Sequence, residues 1–105
     1  MTGDERYQQV LDELVADPDV EDGQMFGMRA AKLRGKAFAS LFDGELAVKI
    51  GAERVHELVE AGLATRFDPM GGRPMKEWAQ VGEGHPDWLQ LAEEAKVFVA
   101  SGAGR

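Results

Sequence analysis

The stretch of the chain that decides the fold is residues 24–50, QMFGMRAAKLRGKAFASLFDGELAVKI. Its residues 34–36 (RGK) place a glycine where a short hairpin loop needs a positive φ angle. Residues 43–44 (DG) are typical of a type I′ turn, in which both central residues have positive φ. Every second residue of the segment 46–50 is apolar, as in a strand with one buried face. The stretch therefore predicts three consecutive antiparallel strands.

These three predicted strands differ in polarity, and the differences indicate where each one lies in the sheet. The first, residues 25–33, carries Arg29 and Lys32, and charged side chains are typical of an edge strand. The second, residues 37–42, is apolar on both faces, which suits the middle of a sheet. Simple alternation puts Phe38 on the same face of this strand as Ser40 and Phe42.

The strands are preceded by a segment with helical periodicity, residues 4–16. Its apolar residues recur three and four positions apart, and Thr2 with Glu5 forms the pattern of a capping box at its start. Pro18 cannot continue this helix, so residues 17–23 are predicted to form an acidic loop. Because this loop lacks the ligand spacing of an EF-hand, we predict no metal site in it.

Two further helices are predicted over residues 52–61 and 86–101. Gly62 suits the position just after the C-terminus of the first of them. Leu89 and Val97 lie off the apolar stripe of the second, where they either meet another subunit or stay exposed to solvent.

Between these two helices the sequence predicts a hairpin, with strands at residues 64–67 and 77–81. The predicted order of elements is then α-β-β-β-α-β-β-α. This order is typical of the α+β class, here a two-layer sandwich in which helices pack on an antiparallel sheet. Phe38 and Trp78 are predicted to be core residues of this sandwich.

Length and composition limit the classes of protein to which this chain can belong. The 105 residues are predicted to form one domain, and 44% hydrophobic with 30% charged residues is ordinary for a globular protein. The chain has no cysteine, which excludes disulfides and thiol chemistry. We find no signal-peptide pattern and no apolar run near the roughly 20 residues of a membrane span. We therefore expect a cytoplasmic protein that does not enter the membrane.

The net charge of −7 argues against direct nucleic-acid binding, because such binding depends on lysine and arginine neutralising phosphates. Charge can still be segregated, and Arg29, Lys32, Arg34 and Lys36 form a small basic group near one hairpin tip. This group is either a solvated hairpin loop, which charge runs usually form, or a contact for an anionic partner.

The hairpin loop at residues 68–75, DPMGGRPM, is the most unusual stretch of the chain. It is either a simple turn or an anion-binding loop, in which Arg73 supplies a planar fork of donors beside the amides of Gly71 and Gly72. It is not a P-loop, because the GK[ST] ending is absent. The candidate ligand site built on this loop also takes in basic and apolar residues of the predicted sheet, namely Arg29, Lys49, Met75 and Trp78.

The sequence contains no recognisable catalytic set. Neither of its two serines, Ser40 and Ser101, belongs to a pattern of nucleophile, base and orienting group. His56 and Glu60 are spaced as a two-ligand metal site but lack a third ligand. We therefore predict a protein that is not an enzyme and holds no cofactor or metal.

Several short groups of residues carry a family resemblance. In chain order they are residues 25–27 (MFG), 35–39 (GKAFA) and 46–49 (LAVK), then Phe67, residues 72–75 (GRPM) and Trp78. On these residues the chain resembles the TfoX N-terminal domain family, over about residues 5–99. The resemblance implies a two-layer α/β sandwich and a relation to regulators of DNA-uptake competence. This chain has Met28 where members often have a second glycine, and we expect it to lack the C-terminal domain of full-length members.

Two hypotheses of function follow from these observations. The first is a non-enzymatic regulatory or protein-interaction module that forms a homodimer and binds a protein partner. The alternative is a small-ligand or anion-binding domain that uses the loop of Gly71, Gly72 and Arg73.

Overall fold

The structure, a computed structural model, describes residues 1–102 of the chain. Within these residues the elements are α1 (Gly3–Leu14), β1 (Val20–Met25), β2 (Met28–Leu33), β3 (Lys36–Phe42), β4 (Glu45–Lys49), α2 (Ala52–Glu60), β5 (Thr65–Phe67), β6 (Met75–Val81) and α3 (Trp88–Ala100). The strands form one antiparallel sheet in the spatial order β1-β2-β3-β4-β6-β5. The predicted α+β class, with helices on an antiparallel sheet, is confirmed.

The number of strands before α2 is four, whereas the sequence predicted three. Residues 20–23, predicted to belong to an acidic loop, are part of strand β1, and the predicted strand 25–33 is divided by a turn. Phe26 and Gly27 form that turn with φ angles of 53° and 77°. Asp43 and Gly44, which form the turn that the sequence predicted, have similar φ angles of 52° and 74°. Phenylalanine is rare at positive φ, so this turn had no strong signal in the sequence. The outermost strand is therefore β1 instead of β2.

The face of β3 that holds Phe38 also differs from the prediction. The register of β2 with β3 shifts so that Ala31 pairs with Ala39 while Lys32 pairs with Ala37, which leaves Phe38 as an extra residue. Phe38 therefore packs in the same cluster as Ala39, on the side of the helices, instead of sharing a face with Ser40. Simple alternation failed because it assumes a strand without a bulge.

The helices begin and end within two residues of their predicted limits. The capping box of α1 is present, because the Glu5 backbone N–H donates to Thr2 Oγ1 over 3.2 Å and the Thr2 N–H donates to Glu5 Oε1 over 2.9 Å. Gly62 follows α2 with a φ of 75°, as predicted for that position.

The main core lies between the sheet and the three helices. It combines the apolar stripes of the helices with one face of the strands, and its largest fully buried members include Trp88, Tyr7, Phe38, Leu14, Leu46, Val48, Val55 and Val81. Burial of this face accounts for the alternating apolar residues in β4 and β6.

The opposite face of the sheet carries a second apolar cluster, to which no residue of α1, α2 or α3 contributes. Its buried members are Ala47, Phe67 and Trp78, and its partly buried members are Met25, Met28, Ala37, Phe42 and Met75. We call this face the open face. The prediction that Phe38 and Trp78 are core residues is confirmed, since both are buried, although they lie on opposite sides of the sheet.

Truncation of either aromatic core residue is expected to be costly. We expect Phe38→Ala and Trp78→Ala each to lower the free energy of unfolding by about 3–5 kcal/mol in chemical denaturation, because each leaves a cavity and loses a buried ring. Leu63→Ala is the control, since Leu63 is 52% exposed and its loss should cost about 0.5 kcal/mol or less. A loss below about 1 kcal/mol for Trp78→Ala would contradict the packing of the open face.

Candidate functional site

Three aromatic side chains form the centre of the open face. The ring centroid of Phe67 lies 5.4 Å from that of Phe42, edge to face, and 5.7 Å from that of Trp78. Phe42 and Phe67 belong to β3 and β5, so they meet across the two intervening strands. Ala47 of β4 belongs to the same cluster, and its small side chain leaves room for the two rings to meet. The rings therefore bury one another in part, without help from a helix.

Methionines surround this aromatic centre. Met25 and Met28 are register partners at the end of β1 and β2, and Met75 begins β6; all three are partly buried. The turn between the first two carries Phe26, which is 61% exposed. Because methionine side chains are flexible and polarizable, a surface rich in them can adapt to different apolar partners. These residues make the open face a candidate interaction surface.

The open face carries charged side chains of both signs. Alternation places Glu21 opposite Lys32 at one side, and Glu45 and Lys49 on either side of Ala47 in β4. Glu45 Oε1 accepts a hydrogen bond from Gln80 Nε2 over 2.6 Å. Lys49 Nζ lies 4.0 Å from Glu77 Oε1.

The layer of helices is strongly acidic by comparison. α1, α2 and α3 carry nine acidic and three basic side chains, whereas the six strands carry four acidic and six basic ones. The net charge of −7 is thus concentrated on the side of the molecule opposite the open face.

The structure brings together only some of the residues predicted to bind a ligand. Lys49 and Trp78 are register partners, and Met75 packs in the same apolar cluster as Trp78. Arg29 lies on the other side of the sheet, where its guanidinium is 5.2 Å from the centre of the Tyr7 ring and donates to Gln8 Oε1 over 2.7 Å. The predicted convergence of Arg29 with the other residues is therefore absent.

The loop that contains Gly71, Gly72 and Arg73 is exposed, and its amides already have an acceptor. The carboxylate of Asp68 accepts hydrogen bonds from the backbone N–H groups of Gly72, over 2.8 Å, and of Arg73, over 3.3 Å. An external anion would have to compete with this carboxylate for the same donors. Anion binding by this loop remains a prediction.

The basic group near the second hairpin tip is partly neutralised by neighbouring acids. Arg34 Nη2 lies 2.9 Å from Asp19 Oδ2, and Arg29 Nη2 lies 3.8 Å from Asp22 Oδ2. Two of the acidic side chains after α1, Asp19 and Asp22, thus form ion pairs. Among residues 1–102, no group of three or more His, Cys, Asp or Glu side chains is placed to hold a metal ion.

Asp17 joins the loop after α1 to α3. A hydrogen bond from the Asp19 backbone N–H and the nearby Lys96 ammonium, at 3.3 Å, hold the pKa of Asp17 below its ordinary value. Burial alone would lower the pKa of Lys96, but hydrogen bonds to Glu93 and Asp17 outweigh it and raise that pKa. Burial raises the pKa of Tyr7, whose hydroxyl has no hydrogen-bond partner among residues 1–102.

Sequence reasoning missed most of the open face. Phe42 and Phe67 were assigned to strands but not to a site, and Met25 and Met28 were placed in one continuous strand. The signal that could have found them is the pattern of apolar residues on both faces of the strands, which exceeds what one layer of helices can cover.

The molecule is thus an α+β two-layer protein whose sheet has one covered and one open apolar face. No family model, curated protein or solved structure matches the chain. The resemblance to the TfoX N-terminal domain family stays a prediction. No helix among residues 1–102 has the length and apolar character needed to cross a membrane.

The ion pair of Asp17 with Lys96 predicts a pH-dependent difference between the wild type and Asp17→Asn. Because the pKa of Asp17 is lowered in the folded state, its contribution is present above its ordinary pKa of 3.8 and is lost as the pH falls through the folded value. We expect the variant to unfold at a lower temperature than the wild type at neutral pH, and the difference to close below about pH 3.8.

Asp43→Asn is the matched control for this measurement, since Asp43 lies in a turn at positive φ that asparagine also tolerates. Asparagine at position 17 can still accept the Asp19 N–H, so the comparison isolates the contact with Lys96. A melting temperature of Asp17→Asn equal to that of the wild type at every pH would contradict the role of this ion pair.

Proposed function

We propose that this chain is a non-enzymatic protein-interaction module that forms a homodimer through its open sheet face. The observation that carries the proposal is the second apolar cluster, which lies on the face of the sheet that no helix covers. An exposed apolar patch rimmed by polar residues is typical of a protein–protein interface.

The distribution of charge favours a second copy of the chain as the partner on this face. Two helical layers would repel each other, because each carries nine acidic and three basic side chains. The open face instead carries groups of both signs, among them Lys32 and Glu45. In a two-fold symmetric contact, a group on one copy can meet its opposite on the other.

The size of the open face limits the surface area that this dimer can bury. Six strands at ~4.8 Å spacing and ~20 Å in length cover on the order of 500 Å². A stable interface buries about 800 Å² of accessible surface on each partner, so the open face with its turns lies at the low end of the range. Interfaces at this end of the range are typically transient, so a reversible dimer is expected.

The assignment as a non-enzymatic protein is supported by the state of the candidate nucleophile. Ser40 is fully buried, and its hydroxyl donates to the backbone oxygen of Arg29 over 2.7 Å. A cytoplasmic, regulatory role is part of the proposal, supported by the lack of cysteine and by the resemblance to the N-terminal domain of competence regulators.

Light scattering coupled to size-exclusion chromatography, over a concentration series, tests the dimer. The wild type is expected to rise from the monomer mass of 11.5 kDa towards twice that value as the concentration increases. Met28→Glu should remain monomeric throughout, because it places a charge on the open face at the rim of the apolar cluster.

Val97→Glu is the matched control, since Val97 is 66% exposed on α3, in the other layer. It should dimerise as the wild type does, and circular dichroism should show both variants folded. A wild type that stays monomeric at every concentration, or a Met28→Glu variant that dimerises normally, would contradict the proposal.

A further inference from the structure

A groove on the helical side of the molecule, away from the open face, lies between α1 and the start of α3. Its volume is about 450 Å³, which is within the range of ligand and side-chain pockets. It is lined on α1 by Arg6, Gln9, Val10, Asp12 and Glu13, and on the other side by Pro86, Trp88 and Leu89.

One end of this groove is held together by Arg6. The guanidinium stacks on the Trp88 ring, 4.3 Å from its centre, and donates to the backbone oxygens of Glu83 and His85, the latter over 2.7 Å. Trp88 in turn donates its Nε1–H to the Gly82 oxygen over 2.9 Å. The hydrogen-bond donors of Arg6 are thus engaged within the fold while its positive charge stays in the lining of the groove, and the wall that it braces is preorganised.

The floor of the groove is apolar and partly accessible. Val10 and Trp88 are buried at its base, whereas Leu89 is 38% exposed. An exposed leucine beside buried apolar side chains offers a place for one large apolar side chain of a partner.

The α1 wall of the groove is acidic. Asp12 accepts a hydrogen bond from Gln8 Nε2 over 2.8 Å, and neither Asp12 nor Glu13 forms an ion pair with another residue of the described chain. The surrounding helices carry three times as many acidic as basic side chains. Arg6 brings one positive charge to the lining against the two negative charges of Asp12 and Glu13, so the groove is net acidic and attracts cations.

We propose that this groove binds a basic segment of a partner protein that presents one large apolar side chain between lysine or arginine residues. The apolar side chain packs over Val10 and Leu89, and the basic residues lie against Asp12 and Glu13. An acidic segment or a nucleic acid does not fit, because the wall and the whole helical layer repel negative charge. Since the groove and the open face belong to opposite layers, both can be occupied at once.

Fluorescence anisotropy with labelled peptides tests this assignment on the full chain. The probes are an amphipathic peptide of leucine and lysine, its counterpart with glutamate for each lysine, and its counterpart with serine for each leucine. The first should bind, with an affinity that falls as salt increases. The glutamate peptide should not bind, and the serine peptide should bind about tenfold more weakly.

Two pairs of variants locate the peptide. Glu13→Lys should weaken binding about five- to tenfold, whereas Glu60→Lys, which changes the net charge equally on α2, should weaken it less than about twofold. Leu89→Ser should also weaken binding about five- to tenfold, and Met28→Ser on the open face should leave it unchanged. Circular dichroism establishes that each variant is folded.

Equal weakening by Glu13→Lys and Glu60→Lys would overturn the proposal, because attraction would then be to the net charge and not to the groove. Equal binding of the serine and leucine peptides would overturn it as well, since the apolar floor would have no role. Loss of binding in Met28→Ser would place the peptide on the open face instead. None of these outcomes depends on whether the wild type dimerises, so this proposal and the homodimer can fail separately.

Discussion

Strands β3, β4 and β6 carry apolar side chains on both faces, and the three helices bury only one of these faces. The imbalance arises because each helix covers part of a single layer, so the side occupied by Phe38 and Val48 is closed while the side of Trp78 is not. A sheet in that position must reduce its exposed apolar area by other means. Here Phe42, Phe67 and Trp78 lean together over Ala47, which leaves the methionines around them as the accessible part.

The edge of the sheet at β1 carries charged side chains that oppose association through the edge. β1 has a free edge, and Glu21 and Asp22 along it are exposed, which opposes pairing with another strand. An apolar sheet with an unprotected edge would tend to extend strand by strand into open assemblies. The proposed homodimer uses the open face instead of this charged edge, and a contact between two copies there would be closed by symmetry.

The sequence was sufficient for those parts of the fold that depend on local chemistry. The helix limits followed from the capping box and Gly62, and the turn at residues 43–44 followed from its Asp-Gly pair. The turn at Phe26 and Gly27 was not predictable, because phenylalanine is rare at positive φ and is not a typical turn residue. The bulge at Phe38 and the placement of Arg29 under α1 depend likewise on register and on contacts distant in the chain, which no local pattern contains.

The two proposed contacts differ in their physical basis, and that difference follows from how charge is divided between the layers. The helical layer is net negative, with nine acidic and three basic side chains, so the peptide proposed for the groove would be attracted by charge at a distance and then held by its fit to the groove. The open face carries charges of both signs, so the affinity of the proposed dimer would have to come from apolar contact at short range. A rise in ionic strength should therefore weaken peptide binding in the groove and leave the dimer largely intact.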